Sequence, residues 1–228
     1  MNTGTLVEIT VRVGDLVEEN QIIKTLIGEM KLSNSAVGNL LEEGIEWVPY
    51  AGKIYQGIKL NRLQKRFNEH QAKFNEIGKL LSETSMSATY ISERIFPIVL
   101  SDLIEEHEDA KINLILTGFE NVFIEEKTEE SVVINYFDSL RELRYADIMR
   151  FYYLSNVVQT YKVHAVGSDE HALIRNIDKK LENRGLISIK KTYGAIAGQE
   201  ADIYSDNVQL TLYGRKFLDF ILDSNTSV

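Results

Sequence analysis

The stretch that decides the fold is Lys59–Ser82, KLNRLQKRFNEHQAKFNEIGKLLS. Its apolar residues, with His70 among them, follow one another at alternating spacings of three and four residues. That spacing predicts a helix over 59–82 with a narrow apolar seam. The seam comprises Leu60, Leu63, Phe67, His70, Phe74, Ile77 and Leu81. A helix of this length needs neighbours to cover its seam, so we expect the flanking segments to be helical too.

The other face of this helix is polar. We expect it to face water or a polar partner, and it comprises Asn61, Arg62, Gln64, Lys65, Arg66, Glu69, Gln71 and Lys73. A homodimer through the 59–82 helix is a second way to bury the seam.

Composition limits the classes of protein. The chain has 228 residues, a net charge of −9, 44% hydrophobic and 26% charged residues, and no cysteine. Disulfides, thiolate metal sites and cysteine nucleophiles are therefore excluded. We find no apolar run of membrane-spanning length and no signal-peptide pattern at the N-terminus, so we expect a cytoplasmic protein with no transmembrane segment.

The negative charge is unevenly distributed along the chain. From Arg144 onward there are 11 basic and 10 acidic residues, whereas the remainder carries a net −10. The acidic part should repel nucleic acid, and the last third need not.

Residues 1–32 are predicted to form a β-rich N-terminal arm, because apolar residues alternate on either side of a Gly14-Asp15 turn. The arm resembles the first half of a biotinyl or lipoyl carrier domain, in which the lysine of a Met-Lys pair is modified. The matching residues are Gly14, Asp15, Val17, Gln21, Met30 and Lys31. The second half of such a domain is not found, so a plain hairpin with a solvated Lys31 is the preferred interpretation. We expect no cofactor, and a carrier modified at Lys31 stays open.

Residues 33–143 are predicted to form a helical domain. Pro49 should break the chain ahead of the 59–82 helix, and Pro97 should kink or bound a later one. Apolar spacing predicts further helices over 88–107, 110–123 and 132–143.

The order of these segments resembles the Abi-alpha family of bacterial abortive-infection proteins. The resemblance covers about residues 40–158 and consists of a bend, a long polar helix, a helix with an acidic end and two further helices. The residues that carry it are Ile45, Pro49, Gly52, Leu114 to Phe123, Leu143, Asp147 and Leu154. It implies a helical domain and a role in phage defence, and it carries over no catalytic residue.

Residues 144–228 are predicted to form a winged-helix (α+β) domain. A first helix is predicted over 145–158. A second helix starts at Ser168-Asp169 and ends at Gly185. The residues of the second helix that should face the core are Leu173, Ile174, Ile177 and Leu181. Strands are expected over 187–193 and 208–213, joined by a wing, before a final helix to Leu222. The close of this segment resembles many bacterial winged-helix domains. The whole chain is thus expected to be mainly α.

No residue pattern indicates catalysis. His107 lies between Glu105 and Asp109, which could hold a divalent ion, but a solvated acidic helix end is the preferred interpretation. No serine elbow, paired-carboxylate or nucleotide-loop motif is found. We therefore predict a protein that is not an enzyme and has no metal site.

Nucleic-acid binding is the most specific hypothesis for the C-terminal segment. The polar side of its second helix, with two wing lysines, could contact bases and phosphates. The candidate residues are Arg175, Asn176, Lys179, Lys180, Asn183, Arg184, Lys190 and Lys191. Asp178 and Glu182 on the same helix oppose it, so a protein-docking module remains an alternative.

Two functions follow from these features. The first is a phage-defence protein that acts by binding protein or nucleic acid. The second is a DNA-binding transcriptional regulator whose helical domain dimerises.

Overall fold

The computed structural model of this chain describes Gly38, residues 53–162, residues 164–190 and residues 203–223. These residues are mainly helical, with a small two-stranded sheet, so the predicted mainly-α class is confirmed. The predicted β-rich arm over 1–32, including Lys31, lies outside the described residues.

The described residues form a series of helices and one pair of strands. The helices are α1 (Lys53–Glu69), α2 (Gln71–Glu83), α3 (Ala88–Tyr90), α4 (Phe96–Glu105), α5 (Asp109–Ile124), α6 (Glu130–Glu142), α7 (Tyr145–Leu154), α8 (Asp169–Asn183) and α9 (Leu212–Ile221). A π-helical turn over Ile91–Ile95 joins α3 to α4. The strands are β1 (Ile187–Ile189) and β2 (Val208–Leu210), and a 3-10 turn over Ser205–Asn207 precedes β2.

The helix predicted over 59–82 is divided at His70, which has φ −114° and ψ 25° and separates α1 from α2. The prediction of one uninterrupted helix was therefore wrong. Backbone bonds continue across the turn, since the His70 N–H donates to the Arg66 carbonyl at 3.0 Å and the Phe74 N–H to the His70 carbonyl at 3.1 Å. The rings of Phe67 and Phe74 stack across it, with centroids 3.8 Å apart.

The apolar part of the predicted seam is confirmed as core where its side chains are described, and the side chain of Leu60 lies outside that part. Leu63, Phe67, Phe74 and Ile77 are buried and Leu81 is partly buried, because α1 packs on α4 and α2 packs on α5 of the same chain. A homodimer through these helices would therefore have to use a face other than the seam.

Two cations of the predicted water-facing side are in fact covered. Arg66 is only 2% exposed and donates to the carbonyls of Leu103 and Glu106 and to Asp109 Oδ1. The last carbonyls of a helix lack intrahelical partners, and a guanidinium carries enough donors to satisfy several of them at the end of α4. Lys73 pairs with Glu120 of α5 in a site that leaves about a tenth of each side chain exposed.

Pro97 lies in the first turn of α4, directly after the π-helical turn. A proline is tolerated there because the first N–H groups of a helix need no intrahelical acceptor. The predicted boundary at this residue is confirmed.

Beyond α8 the chain turns at Gly185, whose φ of +68° is the left-handed conformation that glycine adopts without strain. Antiparallel β1 and β2 pair Ile187 with Leu210 and Ile189 with Val208. The second strand is shorter than predicted, because it ends at Leu210 and Tyr213 lies in α9. Residues 191–193, the last three predicted for the first strand, lie outside the described residues. The Thr211 hydroxyl explains the early end of β2, because it caps α9 by accepting the Gly214 N–H at 2.8 Å.

Helix α9 packs on α5 of the central helices. The Asn121 amide donates to the carbonyls of Asp219, Phe220 and Leu222 at 3.2, 2.9 and 2.9 Å. A Cβ at Gly214 would lie 1.8 Å from the Leu186 carbonyl oxygen, so glycine is required where α9 crosses the turn into β1. One hydrophobic core thus runs across residue 143, and the domain boundary proposed there stays a prediction.

Within the described residues, no helix combines the length and the apolar character needed to cross a membrane.

Candidate functional site

Helix α8 carries most of the predicted nucleic-acid residues. Ser168 caps it by accepting the His171 N–H at 3.1 Å, and Ile177 and Leu181 anchor it in the core beside α7. The prediction that Leu173 points inward was wrong, because its side chain is 55% exposed. Asp178, which was expected to oppose nucleic-acid binding, is instead buried.

Three ion pairs fasten α8 to the helices before it. Asp178 accepts two bonds from the Arg150 guanidinium at 2.8 and 2.9 Å, Lys180 pairs with Asp147 at 2.5 Å, and Arg184 pairs with Glu142. Two of the predicted nucleic-acid residues, Lys180 and Arg184, are therefore engaged by carboxylates of α7 and α6.

Three other predicted residues form what we call the outer stripe: Asn176, Lys179 and Asn183. They are exposed and lie three and four residues apart, on one side of α8. Lys190 is exposed just after β1, where its backbone N–H donates to the Asn207 carbonyl at 2.9 Å. Arg175 is half-buried at the edge of the stripe, and Lys191 lies outside the described residues.

The Arg150–Asp178 pair is buried and contacts several neighbouring groups. Arg150 is 5% exposed, donates to the Ile203 carbonyl at 2.6 Å and lies over the rings of Tyr153 and Tyr161, 5.2 and 4.9 Å from their centroids. Burial raises the pKa of Asp178, while the Arg150 guanidinium acts in the opposite direction. The pair locks the end of α7, the middle of α8 and the segment before β2 together.

An open cleft lies over this pair, and we call it the Tyr161 cleft. Its polar and aromatic lining is Arg150, Tyr153, Tyr161, Lys162, Arg175 and Tyr204, and His164 and His171 also lie on it. Burial raises the pKa of Tyr161, and nearby Arg150 lowers it. Sequence reasoning missed this cleft, although the aromatic-basic pair Tyr161-Lys162, followed by His164 and His171, was a usable signal.

The acidic segment around His107 organises protein contacts. Glu106 Oε1 accepts the N–H groups of His107 and Glu108 at 2.7 and 2.9 Å, and Glu106 Oε2 pairs at 2.5 Å with Lys111, whose side chain is 1% exposed. Asp109 pairs with Arg66. No group of three or more potential metal-ligating side chains occurs in the part of the chain that the structure describes.

Glu106→Gln should destabilise the protein by about 1–3 kcal/mol at pH 7, because it removes the charged partner of a buried lysine. Burial raises the pKa of Glu106, but Lys111 and the two N–H groups outweigh it and the net shift is downward. A carboxyl group with a lowered folded-state pKa stabilises above its unfolded pKa, about 4.3. The difference between wild type and variant should therefore shrink as the pH falls below about 4.3 and through the lower pKa of the folded state. Urea unfolding at pH 7 and pH 3 measures this, and an equal difference at both values would contradict it.

This chain matches no protein-family model, no curated protein and no solved structure in the comparisons.

Proposed function

We propose that this chain is a non-enzymatic binding protein whose C-terminal segment is a winged-helix-like module that contacts duplex DNA. The order α7, α8, β1, β2 and α9, with an antiparallel pair of strands after α8, supports a winged-helix arrangement. The observation that carries the proposal is the outer stripe, which places two amides and an ammonium on one exposed side of α8.

The side chains of the stripe suit DNA. An asparagine can form a paired hydrogen bond with adenine, and a lysine neutralises a phosphate. Lys190 adds a second exposed ammonium next to β1. Because Lys180 and Arg184 are held by carboxylates and Glu182 is exposed on the same helix, we expect weak binding that depends strongly on salt.

The biological setting that we propose is cytoplasmic phage defence of the abortive-infection type, as the resemblance over residues 40–158 implies. In that setting the DNA-binding module would act as the sensor and the helical segment as the body that supports it. A DNA-binding transcriptional regulator remains the alternative.

The test uses the full chain and fluorescein-labelled mixed duplex fragments in an anisotropy titration at about 50 mM salt, where non-specific contacts are favoured. Lys179→Glu and Lys190→Glu, each made alone, should weaken binding several-fold and flatten the salt dependence. Lys216→Glu, an exposed charge reversal on α9, is the control for net charge.

Two results would overturn the proposal. One is wild-type protein that shows no binding at this salt concentration, which would favour a protein-docking module. The other is an equal loss in the Lys216→Glu control, which would mean that the outer stripe has no special role.

A further inference from the structure

The Tyr161 cleft has an excess of positive charge. Three of its lining side chains, Arg150, Lys162 and Arg175, are cationic, and Asp178 is its one acidic residue among the described residues. That carboxylate is already held by two bonds from Arg150. A concave site lined mainly by one sign of charge concentrates ions of the opposite sign.

The carboxylates near the cleft cancel this excess only in part. Asp147 is paired with Lys180. Glu170 is fully exposed, and its pKa is lowered first by its own backbone N–H and the Ser168 hydroxyl, and also by His164 and Lys162. Because this carboxylate lies near Lys162, it offsets part of the charge of that lysine, and the excess that remains comes from Arg175 and the rest of Lys162.

The cleft also offers aromatic surface. Tyr161 packs against Tyr153, with ring centroids 5.4 Å apart, and both rings lie against the Arg150 guanidinium. Tyr204, on the opposite segment, keeps 43% of its surface exposed. Exposed aromatic rings next to cations are the chemistry that binds a planar base carrying a phosphate, since the ring stacks and the phosphate pairs with the cations.

We propose that the Tyr161 cleft binds a nucleotide, with its phosphate beside Lys162 and Arg175 and its base against Tyr204. The cleft is built by the end of α7, by residues 161, 162 and 164 after it, by α8 as far as Asp178 and by residues 203–204. This proposal is independent of DNA binding by the outer stripe, because the stripe residues do not line the cleft.

Isothermal titration of the full chain with AMP, adenosine and inorganic phosphate tests both parts of the ligand. AMP should bind at least tenfold more tightly than either adenosine or phosphate. Equal affinity for AMP and phosphate would overturn the role of the ring, and equal affinity for AMP and adenosine would overturn the role of the cations.

Variants then locate the site. Lys162→Gln should weaken AMP binding about tenfold, and Tyr204→Leu should weaken AMP binding while leaving phosphate binding unchanged. Lys216→Gln, an exposed lysine outside the cleft, should have no effect. Loss of AMP binding in that control, or none in Lys162→Gln, would overturn the assignment.

Two further measurements do not depend on the variants. Amide chemical-shift changes on adding AMP to wild-type protein should cluster in residues 161–175 and 203–204, and changes confined to other residues would contradict the proposal. Competition between AMP and a duplex fragment shows whether the cleft binds the phosphate of a free nucleotide or that of DNA. A cleft that binds DNA and not AMP would also overturn the proposal.

Discussion

Asp178→Asn is expected to lower the free energy of unfolding by about 3–5 kcal/mol, the usual cost of removing one partner of a buried ion pair. The carboxylate accepts two bonds from Arg150, and both side chains are almost fully buried. With the amide in place, the guanidinium stays inside the protein without a compensating charge. Urea unfolding followed by circular dichroism measures the loss.

Two further variants separate the ion pair from a general effect of substitution. Asp219→Asn makes the same chemical change at an exposed position of α9 and should alter stability by less than about 0.5 kcal/mol. Replacing both partners, with Arg150→Met and Asp178→Leu, should recover much of the lost stability, because no buried charge is then left over. An unchanged unfolding midpoint for Asp178→Asn would show that the pair does not hold α7 to α8.

Phe67→Ala should cost about 3–5 kcal/mol, as expected for truncation of a buried phenylalanine. Phe67 is 3% exposed and its ring stacks on Phe74, so the variant leaves a cavity and uncovers a second ring at the turn between α1 and α2. The contact of α1 with α4 should weaken as well. The loss appears as a lower midpoint in a thermal or urea unfolding experiment.

Glu69→Ala serves as the control for Phe67→Ala, because Glu69 is exposed on the same helix two residues away. Its effect should stay within about 0.5 kcal/mol. Equal unfolding midpoints for Phe67→Ala and wild type would contradict the placement of the seam in the core.

Much of the helical framework was predictable from local patterns. Apolar spacing located α5 and α6 to within two residues at each end, and it identified Leu63, Phe67, Phe74 and Ile77 as core. These predictions succeed because the apolar face of an amphipathic helix is stable only when it is buried against other helices. Gly185 and Pro97 likewise mark boundaries through restrictions on their own backbones.

The turn at His70 was not predictable in this way. A histidine at a seam position is compatible with an unbroken helix, and the interruption lies where the chain passes from packing on α4 to packing on α5. Which neighbour a helix packs on depends on residues far along the chain, and no local pattern contains that information.

The charged residues divide in the same manner. Their sequence spacing indicates which side of a helix they occupy, and it correctly placed Asn176, Lys179 and Asn183 on an exposed side of α8. Spacing could not foresee that Arg66 would be buried at the end of α4, or that Lys180 and Arg184 would meet carboxylates of α7 and α6. A charge is buried or exposed according to the partner that tertiary packing brings to it, since burial is tolerated only when that partner is present. The apolar seam, together with the proline and glycine at helix boundaries, therefore specified a helical protein. The Arg150–Asp178 pair and the Tyr161 cleft above it result from packing between helices that are distant in sequence.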